Sequence, residues 1–466
     1  MAPSADFHVL IVGAGIGGLL AAALLERANI SYTVLERAKE VKALGSAIAL
    51  SANILPVFEQ LGIYEEFRSL STSVLHGIVK DEAGKVVSDS DYTMLEERYG
   101  YGSYVCSRPA LHELLLRQVP DHKVLFNKRV LSIQQMEDGV SVRAADNTTY
   151  QGHILVGADG AYSSVRQSLY KHMKDIGKLP KGDDEDLPFS TVCLVGTSGP
   201  MPPEMCVQSP GGDCRYECSI TKDTPVLVAQ FLLPDYTVPW MVNHYIGDTA
   251  TRNEERFRNS EWGPEAVDQM INEVSHLKAP FGGTIGDYIK NTPSHLISKV
   301  LLEEKMFETW YHDRTVLLGD ACHKMFPAAG QGAVNAMQDA VVLVNVLYNM
   351  PSDRPADILK AFKIYKEERY QYAKMSYESS IQFGELVKTG VRADAMRFMF
   401  RNMLPRFLWI KQLDTMLRHR PQVSFLPFVE PKGIAQPLPQ PVYGRSPAPS
   451  IASSSSASLA SSVKAV

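Results

Sequence analysis

Apolar positions along the chain switch between strand-like runs and helical spacing. From Val9 to Leu25 no residue is charged, a stretch that hydropathy alone would flag as a leader or a membrane anchor. Gly13, Gly15, Gly17 and Gly18 interrupt it, no Lys or Arg precedes it, and it is short for a spanning helix. The expectation is a buried strand over 8–12, a glycine turn, and a helix over about 17–28. The next run, 31–35, is short, β-branched and ends on the charged pair Glu36 and Arg37, which predicts a second parallel strand. Together they make a β-α-β unit.

Helical spacing returns over 53–70 and 108–119, whereas 123–158 predicts strands separated at Asp138-Gly139 and Asp146-Asn147. Residues 177–188 carry Lys178, Lys181, Asp183, Asp184, Glu185 and Asp186 among glycine and prolines, the pattern of a solvated linker. Beyond it, 189–300 alternates β-rich runs such as 226–233 with turns and predicts a sheet-based lobe. From about 301 the order is again strand, loop and long helix. The tail from Gln436 is rich in Pro, Ser and Ala, with consecutive serines at 453–456, too little apolar surface to order itself.

The 466 residues suffice for roughly two to three domains at about 150 residues each, although interleaving can merge them into one α/β body. With 45% hydrophobic and 21% charged residues the chain can bury a sizeable core, so global disorder is excluded. Lys and Arg number 47 against 52 Asp and Glu, a formal charge of -5 that creates no general field for nucleic acid. Any basic surface must be local. The six cysteines, Cys106, Cys193, Cys206, Cys214, Cys218 and Cys322, are too sparse for a disulfide scaffold, so reduced thiols and an intracellular setting are expected. Cys214 and Cys218 lack the second ligand pair of a structural zinc site, and no metal is expected.

Three motifs carry the chemistry. Gly13-Ala14-Gly15-Ile16-Gly17-Gly18 matches G-x-G-x-x-G: Gly13 permits the tight turn, Gly15 lets the backbone approach a pyrophosphate, and Gly18 lets the helix pack closely. The helix N-terminus then faces the phosphates. Glu36 follows Gly13 by 36 − 13 = 23 residues, where a carboxylate accepts hydrogen bonds from a ribose diol. The second motif, Gly157-Ala158-Asp159-Gly160 before Ser163, Ser164 and Arg166, is an apolar strand ending in an acid-glycine turn. The third runs from Val316-Leu317-Leu318 into Gly319-Asp320-Ala321, a carboxylate placed for a polyhydroxylated chain such as ribityl. Gly330-Gln331-Gly332 then opens a helix at about Ala333 whose free N–H groups suit a phosphate or an anionic ring edge.

In this order and spacing the motifs resemble the single-component FAD-dependent monooxygenases of the para-hydroxybenzoate hydroxylase type, over about residues 7–385. The resemblance implies an α/β (α+β) fold in which a Rossmann-like FAD-binding domain is interleaved with a β-sheet substrate domain and followed by C-terminal helices. The implied boundaries are 1–188 for the first part of the FAD-binding domain with inserted substrate-domain strands, 189–300 for the substrate sheet, 301–385 for the second FAD part, 386–435 for a helical segment and 436–466 for a disordered tail. By the same resemblance Gly13, Gly15, Gly18, Glu36 and Arg37 hold the ADP half of FAD. Arg108 of Cys106-Ser107-Arg108-Pro109 stands near the cofactor, its alternative being a surface arginine at a helix start. Asp159 is tied to both FAD and the pyridine nucleotide, Asp320 to ribityl, and Ala49, Pro327, Gly330, Gly332 and Ala333 to the flavin ring.

Within the family, Gly319-Asp320-Ala321-Cys322-His323-Lys324-Met325 and Gln338-Asp339-Ala340 look most like the fungal meroterpenoid and indole-diterpene epoxidase branch. Ala47 and Ala49 stand where that branch often has glycine, and Ala328-Ala329 replaces a more polar or prolyl loop. The implied reaction uses NADPH, or NADH, as a transient reductant, and O2, forming a flavin C4a-hydroperoxide that hydroxylates or epoxidises a lipophilic or aromatic natural product. A phenol needs a hydrogen-bonding group, an alkene mainly an apolar slot. Arg215 and Tyr216 are either polar contacts to a phenolate or ordinary strand residues, and His323 either assists proton transfer or is structural. The basic, aromatic-rich segment 388–420 either touches a membrane surface peripherally or packs on the FAD lobe. The competing readings are a flavin-dependent reductase or oxidase without oxygen insertion, and a non-enzymatic escort protein on a nucleotide fold; the W-x-W-x-I-P signature of halogenases is absent.

Overall fold

The computed structural model describes residues 4, 6–40, 45–202, 204, 214–220, 226–246, 264–327, 330–387, 391, 395, 396, 398, 399 and 406–443. Two sheets organise them. The first has six strands: β1 (His8–Val12), β2 (Ser31–Leu35), β3 (Val124–Leu125), β4 (Ile154–Gly157), β5 (Tyr311–His312) and β6 (Thr315–Leu317), in the order β5-β6-β4-β1-β2-β3. All pairs are parallel except β5 with β6. Parallel strands are covered on both faces, which is why β1 and β4 read as nearly unbroken apolar runs. The helix α1 (Ile16–Arg27) is buried along residues 16–25 because it lies between this sheet and another helix.

The second sheet has nine strands. Ser298–Glu303, Phe189–Thr197, Pro239–Tyr245, Val226–Gln230, Cys214–Ile220, Ser71–Lys80, Tyr104–Ser107 and Ala47–Leu50 follow one another, and Val86–Asp91 pairs beside Ser71–Lys80. Helices Pro264–Val274 and Ile285–Lys290 contribute to a separate core with Leu194, Val228, Trp240, Val242 and Tyr288. The strands come from two stretches of chain, 47–107 and 189–303, with the first-sheet strands β3 and β4 between them, so the two sheets are interleaved in sequence.

Four further helices frame the first sheet: α2 (Arg108–Leu116), α3 (Ser164–Asp175), α4 (Gly332–Tyr348) and α5 (Pro355–Val387), with α6 (Arg406–Leu417) near the end of the described chain. Helix α4 is the one packed on α1. Among the described residues no helix is long and apolar enough to cross a membrane.

Two expectations are corrected. The charged stretch 177–188 is not simply a solvated linker: Asp183 is buried and its carboxylate accepts the N–H groups of Glu308 at 2.8 Å and Thr309 at 2.7 Å. Residues 436–443 are not disordered, because Leu438 N–H and the Gln440 amide bind the carbonyls of Arg418 and Arg420, and Tyr443 donates to Glu368. Of the two readings of 388–420, Arg420 follows packing: it is buried and donates to the carbonyls of Leu417, Tyr99 and Ala435. In the same segment α6 is fastened by a two-pronged bond from Arg98 to Asp414 at 2.9 and 2.7 Å, while Phe407 stays exposed. Lys388, Arg392, Arg397 and Arg401, the paired alanines 328–329, and 444–466 lie outside the described residues.

Candidate functional site

The carboxyl ends of β1, β2, β4 and β6 open onto one cleft, the usual ligand position in such sheets. Their turns are tied edge to edge. Gly13 N–H donates to Leu35 O at 2.9 Å, Ala158 N–H to Val12 O at 2.8 Å, and Leu318 N–H to Gly157 O at 2.9 Å. Gly13 has φ +105°, and a Cβ there would stand 2.5 Å from Ala158 O. A Cβ on Gly18 would meet Gly13 O at 2.1 Å, and one on Gly17 would meet Leu318 Cδ2 at 2.6 Å. These three glycines serve the protein's own packing. Gly15 differs: a Cβ there meets nothing within 4 Å. It is the N-cap of α1, with no side-chain cap and no acid in the first turn, so the helix presents free N–H groups to an anion.

Glu36 closes the turn from the other side, its two oxygens accepting the N–H groups of Ala14 and Ala38 at 2.8 Å each. Arg37 beside it is exposed. Helix α2 reaches the same loop. Ser107 caps it, accepting from Ala110 N–H at 3.2 Å, and His112 Nε2 donates to Ala14 O at 2.6 Å. Burial, with Arg108 adding to it, pulls the His112 pKa below the usual histidine range, and its Nδ1 is buried without a hydrogen-bond partner. Arg108 keeps an exposed part, and desolvation of the rest lowers its pKa against the pull of Asp320.

At the end of β6, Asp320 accepts a hydrogen bond from Lys324 Nζ at 2.6 Å. Burial opposes ionisation of Asp320, but Lys324, His323 and Arg108 together outweigh it and hold its carboxyl below the usual carboxylate range. Asp320 in turn raises the Lys324 pKa. Glu303, at the end of a strand of the second sheet, accepts a hydrogen bond from Tyr162 OH, and burial raises its pKa. Gly332 opens α4 on this side, since a Cβ there would lie 3.9 Å from Asp320 Oδ1. Gly330, at φ +63°, closes a turn onto Pro327 O at 2.8 Å and has open space before it. Ala333 follows in the first turn of α4.

The structure therefore gathers Gly13, Gly15, Gly18, Glu36, Arg108, Asp320, Gly332 and Ala333 around one cleft. Ala49 pairs with Val105 on the strand that leads into α2. Asp159 is spent on the protein itself: its carboxylate accepts from Ser163 and Ser164 and from the N–H of Val165 at the start of α3. Arg166 is buried across the Phe307 ring and joins this turn to the Asp320 turn by donating to Ala161 O and Ala321 O. Tyr216 stacks on Phe231 with ring centroids 4.7 Å apart, and burial keeps its hydroxyl well above the usual tyrosine pKa. Sequence reasoning missed His112, Lys324 and Glu303 as site residues. His112 lies four residues after Arg108, on the same helix face, which was its available signal.

His323 is fully buried behind the cleft rather than in it. Its Nε2 meets Asp339 Oδ2 at 2.6 Å, and Arg369 Nε donates to Asp339 Oδ1 at 2.8 Å. Arg369 also reaches Asn335 and His419, and His419 stacks on Tyr372 at 3.7 Å. Beside this network a cavity of about 440 Å³ between α4, α5 and α6 is lined by Asn53, Gln331, Gln338, Lys411 and His419. Burial chiefly, with Arg369, depresses the His419 pKa from 6.5 to about 2. The folded state thus binds this proton less readily than the unfolded chain, so its contribution to stability is fully present above about pH 6.5 and is lost as pH falls toward 2. Denaturation at stepped pH should show about 1.4 kcal/mol lost per unit below 6.5 from this residue. His419→Gln should flatten that slope; an unchanged slope would assign it to another group.

Comparison with known proteins gives the family. The family model for an FAD binding domain matches residues 6–182 and 249–380. The FAD-dependent monooxygenase ptmM of Penicillium ochrochloron is 31% identical, covering 80% of this chain and 87% of that protein. The FAD-dependent monooxygenase ausM of Penicillium brasilianum is 30% identical over 92% of this chain and 89% of its own length. Among solved structures, Klebsiella pneumoniae HpxO complexed with FAD and uric acid superposes with a TM-score of 0.71 at 22% identity, covering 88% of this chain and 97% of that one. That likeness concerns the fold. The open approach at Gly15, the uncapped start of α1 and the Asp320 turn fit FAD, and the chain belongs to the FAD-binding domain family as an FAD-dependent monooxygenase.

Proposed function

We propose that the protein takes electrons from NADPH or NADH and inserts one atom of O2 into a lipophilic or aromatic natural product of the meroterpenoid or indole-diterpene kind, by epoxidation or hydroxylation. Bound FAD, once reduced, supplies the activation of oxygen. Everything else falls to the chain. The N–H groups at Gly15 and the start of α1 bind the pyrophosphate, Glu36 the adenosine ribose, and Asp320 the ribityl hydroxyls. Arg108 places a cation at the cofactor, and the start of α4 after Gly332 offers N–H groups to negative charge at the ring edge. In this reading Asp159 acts indirectly, by capping α3 and shaping its turn, and His323 is a positioning residue behind Asp320. Tyr216 and Phe231 supply an aromatic wall rather than a base, since a hydroxyl so strongly held does not ionise near neutrality.

The observation that carries the proposal is the pairing of an open approach at Gly15 with the Asp320–Lys324 turn across one cleft. Purified protein should be yellow, and a panel of phenols and polyprenyl compounds should include one that accelerates NADPH or NADH oxidation and gains an oxygen atom, with little hydrogen peroxide released. Reduction of the test compound under anaerobic conditions, without oxygen in the product, would replace this reading by that of a reductase.

A further inference from the structure

At the end of the parallel sheet opposite the cleft, three side chains from two distant parts of the chain converge. His172 lies in the last turn of α3, His312 ends β5, and Asp313 opens the turn that leads to β6. Asp313 Oδ2 stands 3.0 Å from His312 Nδ1 and 4.0 Å from His172 Nε2. One donor atom from each residue lies within 4.8 Å of the others. A four-coordinate zinc ion with bonds of about 2.0–2.2 Å places its ligand atoms roughly 3.3–3.6 Å apart, so small side-chain rotations close the set.

Two further features point the same way. His312 Nδ1 is buried and, despite its closeness to Asp313, makes no hydrogen bond. Asp313 adopts φ +46°, a left-handed backbone that Asp and Asn tolerate better than most residues, and this conformation brings its carboxylate back toward both imidazoles. Arg314, the adjacent cation, does not neutralise it, because its guanidinium donates to the carbonyls of Glu137 and His153.

We propose that His172, His312 and Asp313 bind one divalent transition-metal ion of the zinc and nickel class. Two imidazoles and one carboxylate favour such ions over Mg²⁺ or Ca²⁺, which prefer all-oxygen sites. The ion would tie the far end of α3 to the hairpin whose other end leads to Asp320, and α3 itself begins at the Asp159 turn. It thus clamps, from behind, the two elements that shape the cleft. The sequence alone led to no expectation of a metal here, since 312 − 172 = 140 residues separate the two histidines.

The test is calorimetric titration of the chelator-treated, flavin-loaded full chain with Zn²⁺ in excess Mg²⁺, together with thermal melts. The expected result is one saturable Zn²⁺ per chain, with a dissociation constant on the order of micromolar and a higher melting temperature. His172→Ala and His312→Ala should each weaken binding about tenfold or more, while flavin absorbance shows that they fold. Asp313→Asn keeps the backbone conformation and should weaken binding as well. Absence of saturable binding, affinity unchanged in both histidine variants, or displacement by Mg²⁺ would overturn the site.

Discussion

Gly15→Val should yield a folded protein that no longer retains FAD. Gly15 sits at φ -74° and ψ -179°, an extended conformation open to any residue, and its Cβ direction meets nothing within 4 Å. The protein without cofactor should therefore keep its stability to within about 0.5 kcal/mol. The added side chain instead fills the approach to the N–H groups of α1, and FAD affinity should fall about a hundredfold or more, equivalent to ~2.7 kcal/mol. Gly13→Ala should behave in the opposite way. It forces a side chain onto a left-handed backbone 2.5 Å from Ala158 O, so it should cost about 1–3 kcal/mol of folding stability before any ligand is considered. Melting the cofactor-free proteins and titrating each with FAD separates the two effects. Undiminished FAD affinity in Gly15→Val would move the pyrophosphate away from α1.

That contrast also marks what the sequence could reveal. The strands β1 and β2 match their expected limits, and α1 starts within one residue of its expected start, because glycines, apolar runs and the Glu36-Arg37 pair are local signals. The helical spacing over 53–70 was real, but Gly62 at φ +73° divides it into Leu55–Gln60 and Tyr64–Ser69. Long-range partnerships left no such trace. Asp183 looks like any charge in a polar loop until the N–H groups of Glu308 and Thr309 arrive from 125 and 126 residues away. Tyr443 looks like part of a low-complexity tail until Glu368 accepts its hydroxyl. Glu303 is a similar case, because only the meeting of the two sheets brings it beside Asp320, whereas Lys324 reaches Asp320 from four residues away, a local signal that went unused.

The largest loss of stability should come from Asp339, which the motif Gln338-Asp339-Ala340 exposes in sequence without revealing its task. Burial disfavours its charge, and His323 and Arg369 reverse that balance, holding the carboxyl below the usual range. Its stabilising contribution is accordingly present above the carboxylate range and lost as pH drops through it. Asp339→Ala removes the partner of a fully buried guanidinium and the acceptor of Gly319 N–H. Breaking a buried pair in this way costs about 3–5 kcal/mol, most of it from the charge left alone. Gly319 immediately precedes Asp320, so weaker FAD retention should accompany the lower denaturation midpoint. Asp339→Leu combined with Arg369→Met removes both charges and should recover much of the stability, yet it cannot restore the bond to Gly319 and should leave FAD binding impaired. If the double variant regained stability and flavin affinity together, the Gly319 bond would have no part in placing Asp320. If Asp339→Ala lost less than about 1 kcal/mol, the buried charges would have found water or another partner, and the network would not be what fixes the Asp320 turn against α4.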